Sequence, residues 1–179
     1  AGKRRRVEGV FRRAARMKIV INLPAQTLEL LDDKGEIVRR HAVSTSRHGA
    51  GEKNGSFCTP RGHHIIRAKI GAGQPVNAVF VNRRSTGEIY SPELAARYHG
   101  RDWILTRILW LSGCEAGVNR LGEVDTMRRF IYIHGTPDGV ELGRPGSIGC
   151  IRMRNSDLIE LFELVPAGTA VEITDSDTA

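Results

Sequence analysis

The segment HGTPDGVELGRPGSIGCIRM, residues 134–153, holds one histidine, one cysteine, five glycines and two prolines. A cysteine kept only for packing normally sits in an apolar strand or helix, where it behaves as a small hydrophobe. Cys150 sits instead between Gly149 and Ile151, with Ser147 before it and Arg152 after it. A thiol attacks carbonyls as thiolate, and its ordinary pKa leaves little of that form at neutral pH. A nearby imidazole corrects this by taking the proton, which gives the activated Cys–His pair of acyl-transfer chemistry. His134 follows the apolar run Phe130–Ile133, so a strand can aim it. Gly149 permits close approach of substrate and backbone, and the N–H groups around Cys150 are placed to receive an oxyanion. Arg152, two residues on, shares the face of Cys150 in an extended segment and can grip a carboxylate in a two-pronged contact. Tyr132 shares a face with His134, either lining the cleft or packing in the core.

Other chemistry is poorly supported. Cys58, Cys114 and Cys150 are widely spaced, and neither CxxC nor HxxxH occurs, so no metal site is expected. His63 and His64 are neighbours in a strand-like run and point to opposite faces. Cys58 and Cys114 have no base at suggestive spacing and read as structural. Trp103 and Trp110 read as core.

The elements that position this segment are mostly strands. Lys18–Leu23 and Thr27–Leu31 flank a turn, and Asp32-Asp33-Lys34-Gly35 reads as a hairpin turn into Ile37–Ser44. Residues 45–62 form a polar loop, and His64–Ile70, Val76–Asn82, Trp103–Leu111, Phe130–Ile133 and Ala170–Ile173 read as further strands. Ser91-Pro92-Glu93 opens a short helix to about Tyr98. Asn155 or Ser156 caps a final helix, which Pro166-Ala167-Gly168 ends. Residues 84–127 exceed a simple connection and are expected to fold over the cleft as a lid or wall. The pattern predicts a mainly β chain: an antiparallel sandwich or barrel with one or two short packed helices.

At 179 residues the chain suits one domain. Eight of its 27 Lys and Arg residues, but only one of its 20 acids, fall within residues 1–18, so the remainder is electrically balanced. Residues 1–16 are therefore expected to be a flexible, solvated basic tail rather than a nucleic-acid-binding arm, preceding a domain over 17–175. No apolar run is long enough to span a membrane, and the tail lacks the apolar stretch of a secretory signal.

The order HG, a Gly-rich spacer, then S-x-G-C-[IV]-R-[ML] resembles the signature of the L,D-transpeptidase catalytic domain, the YkuD family. Val43-Ser44-Thr45 with Thr59-Pro60-Arg61-Gly62 resembles that family's VST…TPxG segment, and Asn22–Gly35 with Gln26 resembles its opening hairpin. The resemblance covers roughly residues 17–175. It implies a cofactor-free β-sandwich enzyme of the periplasm, acting on peptidoglycan stem peptides and open to covalent inhibition by carbapenems. Cys150 would form a thioester at the L-centre of diaminopimelate, and the amine of a second stem would resolve it, cross-linking the wall and maintaining cell shape. His134 matches the base, with the Gly135 carbonyl orienting it; Ser147, Gly149 and Arg152 match positions lining the pocket. One position departs: the family's S-H-G-C is Ser147-Ile148-Gly149-Cys150 here. Isoleucine neither tunes a thiol nor donates to substrate. A carboxypeptidase or amidase using water, or a lapsed binding protein, are the alternatives. The oligomeric state is left open.

Overall fold

The computed structural model describes residues 17–176; the basic segment 1–16 lies outside the described residues. Ten strands form one sheet: β1 (Lys18–Asn22), β2 (Thr27–Leu31), β3 (Ile37–Ser44), β4 (Gly62–Ile70), β5 (Ala78–Val81), β6 (Arg84–Ile89), β7 (Ile104–Gly113), β8 (Tyr132–Gly135), β9 (Ile151–Met153) and β10 (Ala170–Thr174). Two α-helices are present among the described residues, α1 (Pro92–Arg97) and α2 (Asn155–Leu164). The strand order β4-β10-β1-β2-β3-β9-β8-β7 closes because β7 pairs back with β4. The fold is thus a closed, mainly antiparallel barrel, with parallel pairing at β1–β10 and β8–β9.

Alternation along the strands sorts the side chains into two cores. Ile133, Ile151 and Met153 join Ile19, Ile21, Leu28, Leu109, Leu111 and the α2 residues Leu158, Leu161 and Phe162 in the main core. Each such fully buried aliphatic side chain contributes about 1.5–3 kcal/mol. The opposite face of β7 and β8 carries Ile108 and Tyr132, which pack with Ala78 and Phe80 of β5 in a second, smaller core. Cys150 lies at the edge of this second core, half-buried.

Three local findings differ from the sequence expectation. Residues 84–89 do not form a loose lid but strand β6, the outer partner of β5 in a hairpin. Their burial pattern is almost uniformly exposed, which removes the alternation that marks a half-buried strand. Helix α2 is not capped by Asn155 or Ser156; Arg154 occupies the cap position without a side-chain bond. Asn155 is drawn inward, where its amide donates to Thr136 O and Asn77 Oδ1, both at 3.0 Å, and accepts from Thr106 Oγ1 at 2.7 Å. Finally, β7 is bulged at Thr106 (φ +75°), so its first residues pair with β5 and its later ones with β4. Helix α1 opens as expected: Ser91 Oγ accepts from the Leu94 N–H at 3.1 Å, and Pro92 stands in the first turn.

His64 is a structural histidine. It is 1% exposed, and its ring nitrogens meet Gly62 O and Thr126 Oγ1, both at 3.0 Å. Burial pushes its pKa down to about 4, outweighing the Gly62 carbonyl. The unfolded chain takes up a proton at this site below the ordinary value of about 6.5, whereas the folded chain resists until about 4. Stability therefore falls as pH drops through that window, by about 3 kcal/mol from this residue. Urea unfolding at pH 7.5 and pH 4 should show that loss, and His64→Gln should reduce the difference between the two pH values. An unchanged difference in the variant would rule His64 out as the source.

Candidate active site

The last residue of the turn before β9 carries the thiol. The parallel register sets Ile133 opposite Ile151 and His134 opposite Arg152, so Tyr132 and Cys150 are the next pair outward. With the main core taking Ile133, Ile151 and Met153, the residues between them, Tyr132, His134 and Arg152, occupy the other face with Cys150.

The turn itself is built by residues that the sequence marked as pocket lining. Ser147 is buried and faces away from solvent: its hydroxyl donates to the Cys150 carbonyl at 2.5 Å and accepts from the Gly149 N–H at 3.2 Å. Gly149 adopts φ +132°, a conformation reserved for glycine, and a Cβ there would press on Ile131 at 3.2 Å. Thr59 Oγ1, from the Thr-Pro-Arg-Gly segment, donates to the Gly149 carbonyl at 2.8 Å. These contacts hold the thiol without touching the cavity. They also commit the Gly149 N–H to Ser147, removing it from the set of oxyanion donors expected from sequence.

The sulfur sits between two backbone groups. It donates to Phe130 O at 3.3 Å and receives the Tyr132 N–H at 3.3 Å. His134 is fully buried; its Nδ1 is 2.7 Å from the Gly135 carbonyl, which fixes the proton on Nδ1. Nε2 is then an acceptor, and it has no hydrogen-bond partner among the described residues.

The electrostatics define the resting pair. Burial pushes the Cys150 thiol up to about 12; the Tyr132 N–H, Arg152 and Arg129 pull it down, and the Asp102 charge adds to the rise. Burial likewise pushes the His134 imidazole below its ordinary value, with Arg152 acting in the same direction and Asp102 and the Gly135 carbonyl opposing. Both shifts favour the uncharged species. Burial thus holds each of the two groups toward its neutral form.

A cavity of about 320 Å³ opens onto the sulfur, lined by Phe57, Asn82, Arg83, Asp102, Ile104, Arg129, Phe130, Ile131, Tyr132, Ile148 and Cys150. Tyr132 and Ile148 therefore line the cleft, and Ile148 is 41% exposed at its rim. Four of its residues, Phe57, Asn82, Arg83 and Phe130, have positive φ, half of the eight non-glycine residues that do so among the described residues. Such strain costs about 1–3 kcal/mol per residue and gathers at functional sites. A larger cleft of about 470 Å³ beside Tyr90, Trp103 and Pro137 contains neither thiol nor imidazole.

Arg152 is not free to grip a substrate. Its Nη2 is 2.7 Å from Asp102 Oδ1 and its Nη1 donates to Gly146 O at 3.1 Å. Asp102, Arg83 and Arg129 are the site's charged residues that the sequence did not reveal, because they arrive from separate loops with no motif around them. Trp110 stands behind the cavity, edge-on to Tyr132 at 5.9 Å.

Residues 16–173 match the family model described as the L,D-transpeptidase catalytic domain, YkuD. The chain is 33% identical over 127 residues to "Probable L,D-transpeptidase YbiS" of Escherichia coli, covering 65% of this chain and 40% of that protein. It is 54% identical over 41 residues to YkuD of Bacillus subtilis, covering 23% of this chain and 25% of that protein. The chain thus spans well under two thirds of the length of these relatives. Among solved structures, the L,D-transpeptidase from Mycobacterium smegmatis superposes with a TM-score of 0.52 at 20% identity, over 89% of this chain and 58% of that one. LdtMt1 in complex with imipenem gives a TM-score of 0.53 at 18% identity, over 89% and 59%.

Proposed function

Because the chain belongs to the L,D-transpeptidase catalytic domain family, we propose that it is a cysteine acyltransferase that cross-links peptidoglycan stem peptides. The observation that carries this reading is a half-buried thiol opening into a cavity, with a buried imidazole on the same face of the neighbouring strand, its Nδ1 tied down and its Nε2 left as acceptor. Cys150 Sγ attacks the carbonyl at the L-centre of diaminopimelate while its proton passes to His134 Nε2. The C–N bond to the following residue breaks, and His134 returns the proton to the departing amine. The resulting thioester is attacked by the side-chain amine of a second stem, which loses a proton as the C–S bond breaks and the thiol is restored. The Tyr132 N–H, already 3.3 Å from the sulfur, stabilises the negative charge as the thiolate leaves.

No helix among the described residues is long and apolar enough to cross a membrane, and the substrate sets the place of action outside the cytoplasmic membrane, in the periplasm. With water in place of the amine, the same thioester would give a carboxypeptidase. Incubation with purified disaccharide tetrapeptides, followed by mass spectrometry, distinguishes the two by the products: cross-linked dimer or disaccharide tripeptide.

Carbapenem sensitivity gives a second readout. LdtMt1 is known in complex with imipenem, and L,D-transpeptidase 3 of Mycobacterium tuberculosis with a faropenem-derived adduct. Imipenem is expected to add one equivalent of covalent mass to this protein, located at Cys150 by peptide mapping and absent from Cys150→Ala. A protein that stays unmodified, or is modified at Cys58 or Cys114 instead, would contradict the assignment of the nucleophile.

A further inference from the structure

Three arginines stand at or beside the thiol's cavity, and two are already committed. Arg152 is paired with Asp102 at 2.7 Å. Arg129 donates to Gly51 O, Ser56 Oγ and Cys58 O, at 3.1, 3.3 and 2.7 Å, and so braces the loop beneath Cys150. Arg83 differs. Its guanidinium lies 4.9 Å from the Trp110 ring centre and 4.7 Å from that of Phe130, and Nη1 donates to the Tyr132 hydroxyl at 3.0 Å. It has no acidic partner among the described residues, and it lines the cavity. A guanidinium carries five donors in a planar fork suited to a carboxylate; here the aromatic rings fix the plane and only one donor is used.

The backbone adds an independent sign. Asn82 and Arg83 are the two residues of the β5–β6 turn, at φ +48° and +63°. Both central positions of such a two-residue hairpin favour Asn-Gly, because φ is positive at each. Asparagine stands in the first, but the second holds arginine where glycine would relieve strain. A large charged residue kept in a glycine position, over a catalytic cavity, needs a reason beyond the turn.

We propose that Arg83 binds the free carboxylate at the D-centre of the substrate's diaminopimelate and so selects acid stems over stems amidated at that position. The proposal rests on the stem-peptide reading above. Arg83 meets the far end of the Tyr132 side chain, whereas the sulfur is held at its backbone nitrogen. The D-centre is separated from the reacting L-centre by three methylenes, a comparable span, whereas the carboxylate of the departing residue lies only one carbon beyond the scissile bond. The exposed side chains of Phe57, Phe130 and Ile148 offer the methylenes an apolar wall.

The test uses Cys150→Ala protein, which binds without reacting, titrated calorimetrically with synthetic tetrapeptide stems bearing acid or amide at the D-centre. A charge-assisted bidentate contact predicts about 10–100-fold tighter binding of the acid. In Cys150→Ala combined with Arg83→Gly the acid-to-amide ratio should fall to near one, with an unfolding midpoint no lower than the parent's, since glycine suits the turn. Arg83→Lys should keep part of the ratio. Equal binding of acid and amide to the parent, or a ratio unchanged by Arg83→Gly, overturns the proposal. Failure of the stem-peptide reading itself would appear separately, as no thioester from either stem in the protein with Cys150 intact. The acid-to-amide ratio still decides the role of Arg83 in that case.

Discussion

Replacing His134 with alanine is expected to slow acylation of Cys150 by about 10²–10⁴-fold, the range for loss of a positioned general base. The size follows from the resting electrostatics. Burial pushes the thiol up to about 12 and the imidazole below its usual value, and both shifts oppose a preformed thiolate–imidazolium pair. On this account the proton moves during attack, to the unpartnered His134 Nε2 on the same face of the neighbouring strand. Stopped-flow or mass-resolved acylation by imipenem measures the step directly. The pH dependence carries the sharper statement. A lowered imidazole pKa means that the base stays neutral, and competent, to more acidic pH than a free histidine would. The wild-type rate should therefore reach its plateau below about pH 6.5 and stay level through pH 9, because the thiol titrates far above that range. The His134→Ala rate should instead climb steadily with pH, as hydroxide takes over proton removal. A wild-type rate that rises with a midpoint between pH 8 and 9 would mean that a free thiolate attacks, and the neutral-pair description would be wrong.

The grouping of Tyr132, His134, Cys150 and Arg152 on one face is legible in the sequence because strand alternation does most of the work. Tyr132 and His134 stand two apart on one short strand, and Cys150 and Arg152 two apart on its neighbour, so a register between the two strands suffices to gather them on one face. The opening hairpin and the final helix are equally visible, since their apolar periodicity follows the burial pattern closely. What cannot be read depends on contacts between distant segments. Asp102 pairs with Arg152 from 50 residues away, a contact that no local signal announces. Barrel closure through β4 and β7 joins residues such as His64 and Gly113 with no local signal. Spacing does not report burial, which pushes the Cys150 thiol up. Gly149 and Ser147 stand out in the motif, and their backbone conformation and hydrogen bonds shape the turn that carries Cys150.

Gly135→Ala should be the most damaging conservative change to the scaffold behind the base. A Cβ at this position would stand 2.1 Å from Asn155 Oδ1, 2.6 Å from Leu105 O and 3.2 Å from Thr106 Cβ. Two of these neighbours cannot step aside cheaply. Leu105 O belongs to a strand backbone paired with Gly135 itself, and Asn155 is buried and holds Thr136, Asn77 and Thr106 together at 2.7–3.0 Å. Overpacking costs about 1–3 kcal/mol, and each buried hydrogen bond lost with it about 1 kcal/mol more. A loss of about 3 kcal/mol or more is a large part of the 5–15 kcal/mol typical of a whole domain. The harm to function should exceed the harm to stability, because the Gly135 carbonyl, 2.7 Å from His134 Nδ1, fixes the tautomer that leaves Nε2 free. Measured at 15 °C on protein still folded, acylation of Cys150 should therefore drop at least tenfold. The matching control is Gly139→Ala, four residues on in an exposed loop, where an added Cβ meets nothing within 4 Å; its urea midpoint and acylation rate should stay close to wild type. If Gly135→Ala instead kept both, Asn155 would have to swing clear without cost, and its hydrogen bonds to Thr136, Asn77 and Thr106 could not be what holds His134 in register.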